Sequence, residues 1–112
     1  MASTREYLDF VLEQLSELED ISFRPMMGEY VIYYQGKVIG GIYDDRFLLK
    51  PTKTALRRMG EAGIEPQTEL PYEGAKEMLL ADVDRRELLC RMVMGIGEDL
   101  PAPKKKKPRT GV

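Results

Sequence analysis

The sequence predicts an α+β domain of two layers: an antiparallel β-sheet with N- and C-terminal helices packed on it and a short helix between strands. Three observations predict it. Apolar side chains recur at helical spacing near both ends of the chain. The run Met26–Pro51, MMGEYVIYYQGKVIGGIYDDRFLLKP, reads as three consecutive strands joined by two tight turns. Pro51-Thr52 then stops the last of these strands and caps a short helix.

The first helix is expected over residues 4–19. Ser3-Thr4-Arg5-Glu6 is a capping-box pattern, and Tyr7, Leu8, Val11, Leu12, Leu15 and Leu18 fall on one face behind it. Phe10 lies roughly 120° from the centre of that stripe, so it either flanks the core or serves a partner surface. Ile21–Met27 reads as a short strand, which Pro25 confines to an edge or a strand end because proline lacks the ladder donor. Gly28 is a turn or bulge before Glu29–Tyr34, whose alternation makes both faces apolar or amphipathic.

Gln35-Gly36 supplies the positive φ of a hairpin, Lys37–Tyr43 returns, Asp44-Asp45-Arg46 turns again, and Phe47–Lys50 is a further strand. Connections this short impose antiparallel order. Gly40-Gly41 reads as a bulge or as relief for a crossing helix; the other reading is a strand opened for a ligand. Tyr30, Tyr33, Tyr34 and Tyr43 suit a core or an interface better than a base-stacking platform, because the flanking Lys/Arg pattern of RNA-binding sheets is missing.

Lys53–Met59 is the short helix, ended by Gly60 or Gly63. Arg57-Arg58 on it is a small basic patch, either a solvated face or a phosphate contact. Glu65–Pro71 reads as a loop with one short edge strand, and Glu77–Leu80 fits helix by propensity and buried strand by length. Asp84-Arg85-Arg86-Glu87 opens the last helix with an acid at its cap, and Leu88, Leu89, Met92, Val93 and Ile96 form its core stripe. Cys90 and Met94 lie one turn apart on another side of it. They read as filler, or as a second apolar strip for a partner such as a second copy of the chain.

Composition limits the chemistry. The 112 residues hold no histidine and one cysteine, Cys90, so Ser-His and Cys-His nucleophile pairs are absent and no internal disulfide can form. No EF-hand, zinc or phosphate-loop spacing occurs, and no catalytic, metal or cofactor residue is assigned. The carboxylate pairs Asp44-Asp45 and Glu98-Asp99 read as turn and solvent residues. A polar N-terminus, a lone thiol and no apolar run of membrane-spanning length lead to the expectation of a cytoplasmic protein.

The net charge of −2 conceals a division. Residues 104–112 carry Lys104, Lys105, Lys106, Lys107 and Arg109 with no acid, which leaves 12 basic and 19 acidic residues, net −7, in residues 1–103. The organisation expected is a domain over 1–100 and a disordered basic tail over 101–112. Such a tail attracts polyanions weakly and without sequence preference, while the body repels them.

Arg24-Pro25-Met26-Met27-Gly28-Glu29-Tyr30, Gly36-Lys37, Asp44-Asp45-Arg46-Phe47 and Leu49-Lys50-Pro51-Thr52 together resemble the N-terminal domain of the TfoX/Sxy family. Pro71–Lys76 and Arg86–Leu89 resemble its stand-alone members, and the likeness covers roughly residues 4–100. The resemblance implies an antiparallel sheet flanked by helices and favours strand for Lys76–Ala81. Full-length members regulate natural competence beside a DNA-bound transcription activator and carry a second, C-terminal helical domain, of which no counterpart is expected here. The resemblance brings no catalytic residues. It implies a non-enzymatic regulatory module acting through protein partners. The alternative is a small-molecule-binding domain or minor enzyme with a pocket near Gly40-Gly41 and the sheet tyrosines.

Overall fold

The computed structural model describes residues 3–101. The expected basic tail therefore lies outside the described residues, apart from Pro101. Among the described residues, six strands and three helices follow in the order α1 (Arg5–Gln14), β1 (Ile21–Met26), β2 (Glu29–Tyr34), β3 (Lys37–Ile42), β4 (Phe47–Leu49), α2 (Lys53–Glu61), β5 (Thr68–Glu69), β6 (Met78–Leu80) and α3 (Arg86–Asp99). The strands form one open antiparallel sheet in the order β1-β2-β3-β4-β6-β5. The α+β architecture expected from the sequence is the one observed.

Turn chemistry sets the registers. Met27-Gly28, Gln35-Gly36 and Asp44-Asp45 each place both central residues at positive φ, the backbone twist that a two-residue hairpin needs. Between β2 and β3 the pairing slips, from Ile32↔Gly40 to Tyr33↔Val38, leaving Ile39 as a bulge. Gly40 sits beside that bulge for a steric reason. A Cβ there would lie 2.2 Å from the Leu48 carbonyl oxygen of the neighbouring strand. The bulge read at Gly40-Gly41 falls one residue earlier, at Ile39, and both glycines are paired on their two sides.

All three helices pack on one face of the sheet. Leu8, Val11 and Leu15, Ala55 and Met59, and Leu88, Leu89, Met92, Val93 and Ile96 meet Ile32, Ile39, Ile42, Phe47, Leu49 and Leu79 in one buried cluster. Met78–Leu80 is a strand, as the family likeness favoured. Two neighbours pair its backbone, which outweighs the helical propensity of its side chains. Leu48 alternates with Phe47 and Leu49, and is fully buried on the opposite, helix-free face.

Three expectations need correcting. The helix expected over residues 4–19 ends at Gln14. Leu15 and Leu18 continue the apolar stripe through tight i→i−3 turns, so periodicity overruns the regular helix. Ser3 is not its cap: Thr4 is, with its hydroxyl accepting from the Tyr7 amide at 3.1 Å. At α3 the N-cap is Arg85 without a side-chain cap bond, and the Asp84 amide instead donates to Asp82 at 3.2 Å.

Asp99, expected to be a solvent residue, fastens two helices together. Its carboxylate accepts from the Thr54 amide and the Thr54 hydroxyl, both at 2.8 Å, at the start of α2. Those hydrogen bonds hold its pKa below the ordinary 3.8, which is stabilising wherever Asp99 is ionised. A depressed folded-state pKa contributes stability that is complete above the ordinary value and is lost as pH falls through the folded one. Asp99→Asn is therefore expected to lower the unfolding midpoint at neutral pH and to match wild type at strongly acid pH. Urea titrations across that range check it.

Candidate functional site

Three acidic residues of the family likeness, Glu29, Asp44 and Asp45, converge at the N-terminus of α1. Ser3 donates from Oγ to Glu29 Oε1 at 2.6 Å, and the same Glu29 oxygen accepts the Asp44 amide at 3.1 Å. The Asp45 amide donates to Ser3 Oγ at 3.1 Å, and Asp45 Oδ1 accepts the Thr4 amide at 2.8 Å. Arg46 extends the cluster across the sheet. Its guanidinium pairs with Glu69 on β5, donates to the Leu70 carbonyl at 3.3 Å, and reaches back to the Tyr43 carbonyl at 3.1 Å. Two consecutive aspartates in the left-handed region cost on the order of 1–2 kcal/mol each. Here Glu29 and Ser3 capture the turn's amides and hold it. Asp44 and Asp45 are thus turn residues, as expected, and Asp45 is also a fastener of α1.

A second place has the shape of a site. On the helix-free face, a groove of about 680 Å³ runs between β3, the Lys50–Thr52 link into α2 and the Pro71–Glu77 loop. Val38, Gly40, Tyr43, Lys50, Tyr72 and Lys76 are among its lining residues. The Tyr43 ring folds back over Gly41, where a Cβ would lie 2.7 Å from it, and Tyr72 meets Tyr43 edge-on at 6.3 Å. Burial, then the neighbouring Tyr72 and Glu29, push the Tyr43 phenol above its ordinary pKa, so it stays a neutral hydroxyl.

The tyrosine platform considered from sequence is dispersed. Tyr30 and Tyr34 pack against the helix-side core, and only Tyr43 of the four reaches the groove. Sequence reasoning missed Tyr72, Lys50 and Lys76 as site residues, because three segments distant along the chain build the groove and no local spacing marks it.

Other residues singled out from sequence fall as follows. Arg57 and Arg58 share one carboxylate, Glu61, at 3.9 and 3.3 Å, so the patch is partly neutralised on its own helix. Cys90 is buried and its thiol donates to the Gln14 carbonyl at 3.4 Å. Burial, then Glu17, raises the pKa of that thiol against the opposing pull of Arg86, so it is a neutral filler between α3 and α1. The strip pairing Cys90 with Met94 is not one surface: Met94 is 41% exposed and Cys90 faces inward. Phe10 is 40% exposed and belongs neither to the core cluster nor to the side chains packed against it. Lys104–Lys107 and Arg109 lie outside the described residues. Among the described residues, no group of three or more His, Cys, Asp or Glu could hold a metal ion, and no helix is long and apolar enough to cross a membrane.

Fold and fastenings together define a class: a small α+β module with an open six-stranded antiparallel sheet, whose hairpin turns are buttoned to the first helix. The model of the TfoX N-terminal domain family matches residues 13–92, and the chain belongs to that family. It is also similar to an uncharacterised 12.7 kDa protein encoded in the trpE 5′ region of Spirochaeta aurantia. The two are 34% identical over 116 residues, covering 98% of this chain and 94% of that protein.

Proposed function

We propose that this protein is a non-enzymatic, cytoplasmic regulatory module of a bacterial cell that works by binding a protein partner, in the manner its family's link to transcription suggests. One observation carries the reading. Four polar residues of the family likeness, Glu29, Asp44, Asp45 and Arg46, are spent on contacts within the fold, so recognition falls to other surfaces. Charge favours a protein over nucleic acid as the main partner, since the −7 body repels a polyanion. Nucleic-acid contact is then weak and runs through Lys104–Lys107 and Arg109, with Arg57 and Arg58 engaged by Glu61.

Two measurements test this. Deleting residues 102–112 is expected to abolish low-salt gel-shift binding, and intact binding is expected to fall with a salt slope near about −4.5, the value for five phosphates on duplex DNA. Binding unchanged by the deletion would remove the tail as the contact. In co-purification from cell lysate, a protein partner is expected to persist after nuclease treatment. Loss of every captured protein on nuclease treatment would overturn the protein-partner reading.

A further inference from the structure

The groove on the helix-free face has the composition of a ligand site. Its volume of about 680 Å³ falls within the range of small-molecule pockets, roughly 300–1,000 Å³. Val38, Pro51, Pro71 and Met78 supply apolar wall, and the Tyr43 and Tyr72 rings supply flat aromatic surface. Two cations, Lys50 and Lys76, stand on it. Neither is within ion-pair distance of a carboxylate among the described residues. The one acid in the lining, Glu77, is engaged as acceptor for the Thr68 hydroxyl at 3.1 Å.

Glu77 keeps its charge, and two lysines against one carboxylate still leave the lining net positive on a body whose net charge is −7. The nearby N-terminus of α2 does not supply the anion site, because Asp99 already occupies the Thr54 amide and Thr52 caps the Ala55 amide. The lysines are what remains to meet an anion. Nor does the groove suit the chain's own tail, whose Lys104–Lys107 would bring like charge to Lys50 and Lys76.

We propose that this groove binds a small planar anion, a flat ring bearing a carboxylate or a phosphate, with the anionic group on Lys50 and Lys76 and the ring against Tyr43, Tyr72 and Val38. The Tyr43 hydroxyl, kept neutral by burial, adds a hydrogen-bond donor along the same wall. The Pro71–Glu77 loop forms the outer wall and is held at its base by Arg46 through Glu69 and Leu70. This site goes beyond the regulatory reading and does not rest on it. It is tested on the isolated full chain, so its failure leaves the partner reading intact.

The experiment is a ¹H–¹⁵N NMR titration of the full-length protein with benzoate, phenyl phosphate, benzyl alcohol and acetate, each to about 10 mM, the range in which fragment-sized ligands bind. Saturable shifts are expected at Val38, Lys50, Thr52, Tyr72, Ala75 and Lys76 with benzoate or phenyl phosphate, and whichever binds more tightly separates carboxylate from phosphate. Benzyl alcohol and acetate, each lacking half of the pharmacophore, are expected to bind at least about tenfold more weakly. The double variant Lys50→Glu/Lys76→Glu should lose about tenfold or more. Tyr72→Ala, at a side chain 61% exposed, should weaken ring binding with the fold intact should the charge reversal disturb it. Two results would overturn the proposal: no saturable shift at these residues with either anion, or equal affinity for benzyl alcohol.

Discussion

Gly40→Ala is expected to destabilise the protein by about 3 kcal/mol, the upper part of the range for overpacking a close-packed interior. The added Cβ would sit 2.2 Å from the Leu48 carbonyl oxygen and 3.0 Å from Leu49 Cα. Both are backbone atoms of β4, a strand paired on its two sides, so neither can swing away as a side chain would. Relief requires moving β4 or undoing the bulge at Ile39, and either disturbs Phe47 and Leu49 in the core. For a domain of this size the loss corresponds to a fall in melting temperature of roughly 15 °C. Gly60→Ala is the control. That glycine lies in α2 with nothing within 4 Å of an added methyl group, so alanine is expected to stabilise by about 0.5–1 kcal/mol. Thermal unfolding of the two variants beside wild type separates a steric requirement from a general dislike of losing glycine.

Glu29→Ala is expected to cost about 1–1.5 kcal/mol, the net worth of its hydrogen bonds. The Ser3 hydroxyl keeps the Ile42 carbonyl as an acceptor at 3.3 Å, and the Asp44 amide is open to water. The substitution removes the carboxylate acceptor from both the Ser3 hydroxyl and the Asp44 amide, and Ser3 is only 9% exposed. The strained Asp44-Asp45 turn then loses one of its two holds, and Asp45 in turn carries the Thr4 amide at the start of α1. Hydrogen exchange is expected to quicken first at Thr4–Leu8 and at Asp44 and Asp45, while Leu89–Val93 in α3 stays protected. Glu29→Gln keeps an acceptor oxygen and should lose less. Urea unfolding with residue-resolved exchange measures both variants.

These two residues mark what could and could not be read from the chain. Hairpins were legible because their determinants are local: Gln35-Gly36 and Asp44-Asp45 announce positive φ, and alternation fixes which face each strand buries. The core stripe of α3 was legible for the same reason. The end of α1 was not, because apolar spacing persists through Leu15 and Leu18 after regular hydrogen bonding stops. Asp45 and Asp99 looked like solvent carboxylates, since their partners Thr4 and Thr54 lie 41 and 45 residues away. Cys90 and Met94 looked like one strip at helical spacing, but α1 covers the first and leaves the second exposed. The groove was half visible through Gly40 and Tyr43. Its lysines and Tyr72 come from segments that only the tertiary fold brings together.

The regulatory reading depends on Glu29, Asp44, Asp45 and Arg46 being fastenings rather than a binding site. A double-mutant cycle between Ser3→Ala and Glu29→Ala, measured by urea unfolding, tests that contact directly. Coupling of about 1 kcal/mol is expected, with the double variant losing less than the sum of the singles. Losses that add to within about 0.3 kcal/mol would contradict it, and would return Glu29 to the candidates for partner recognition.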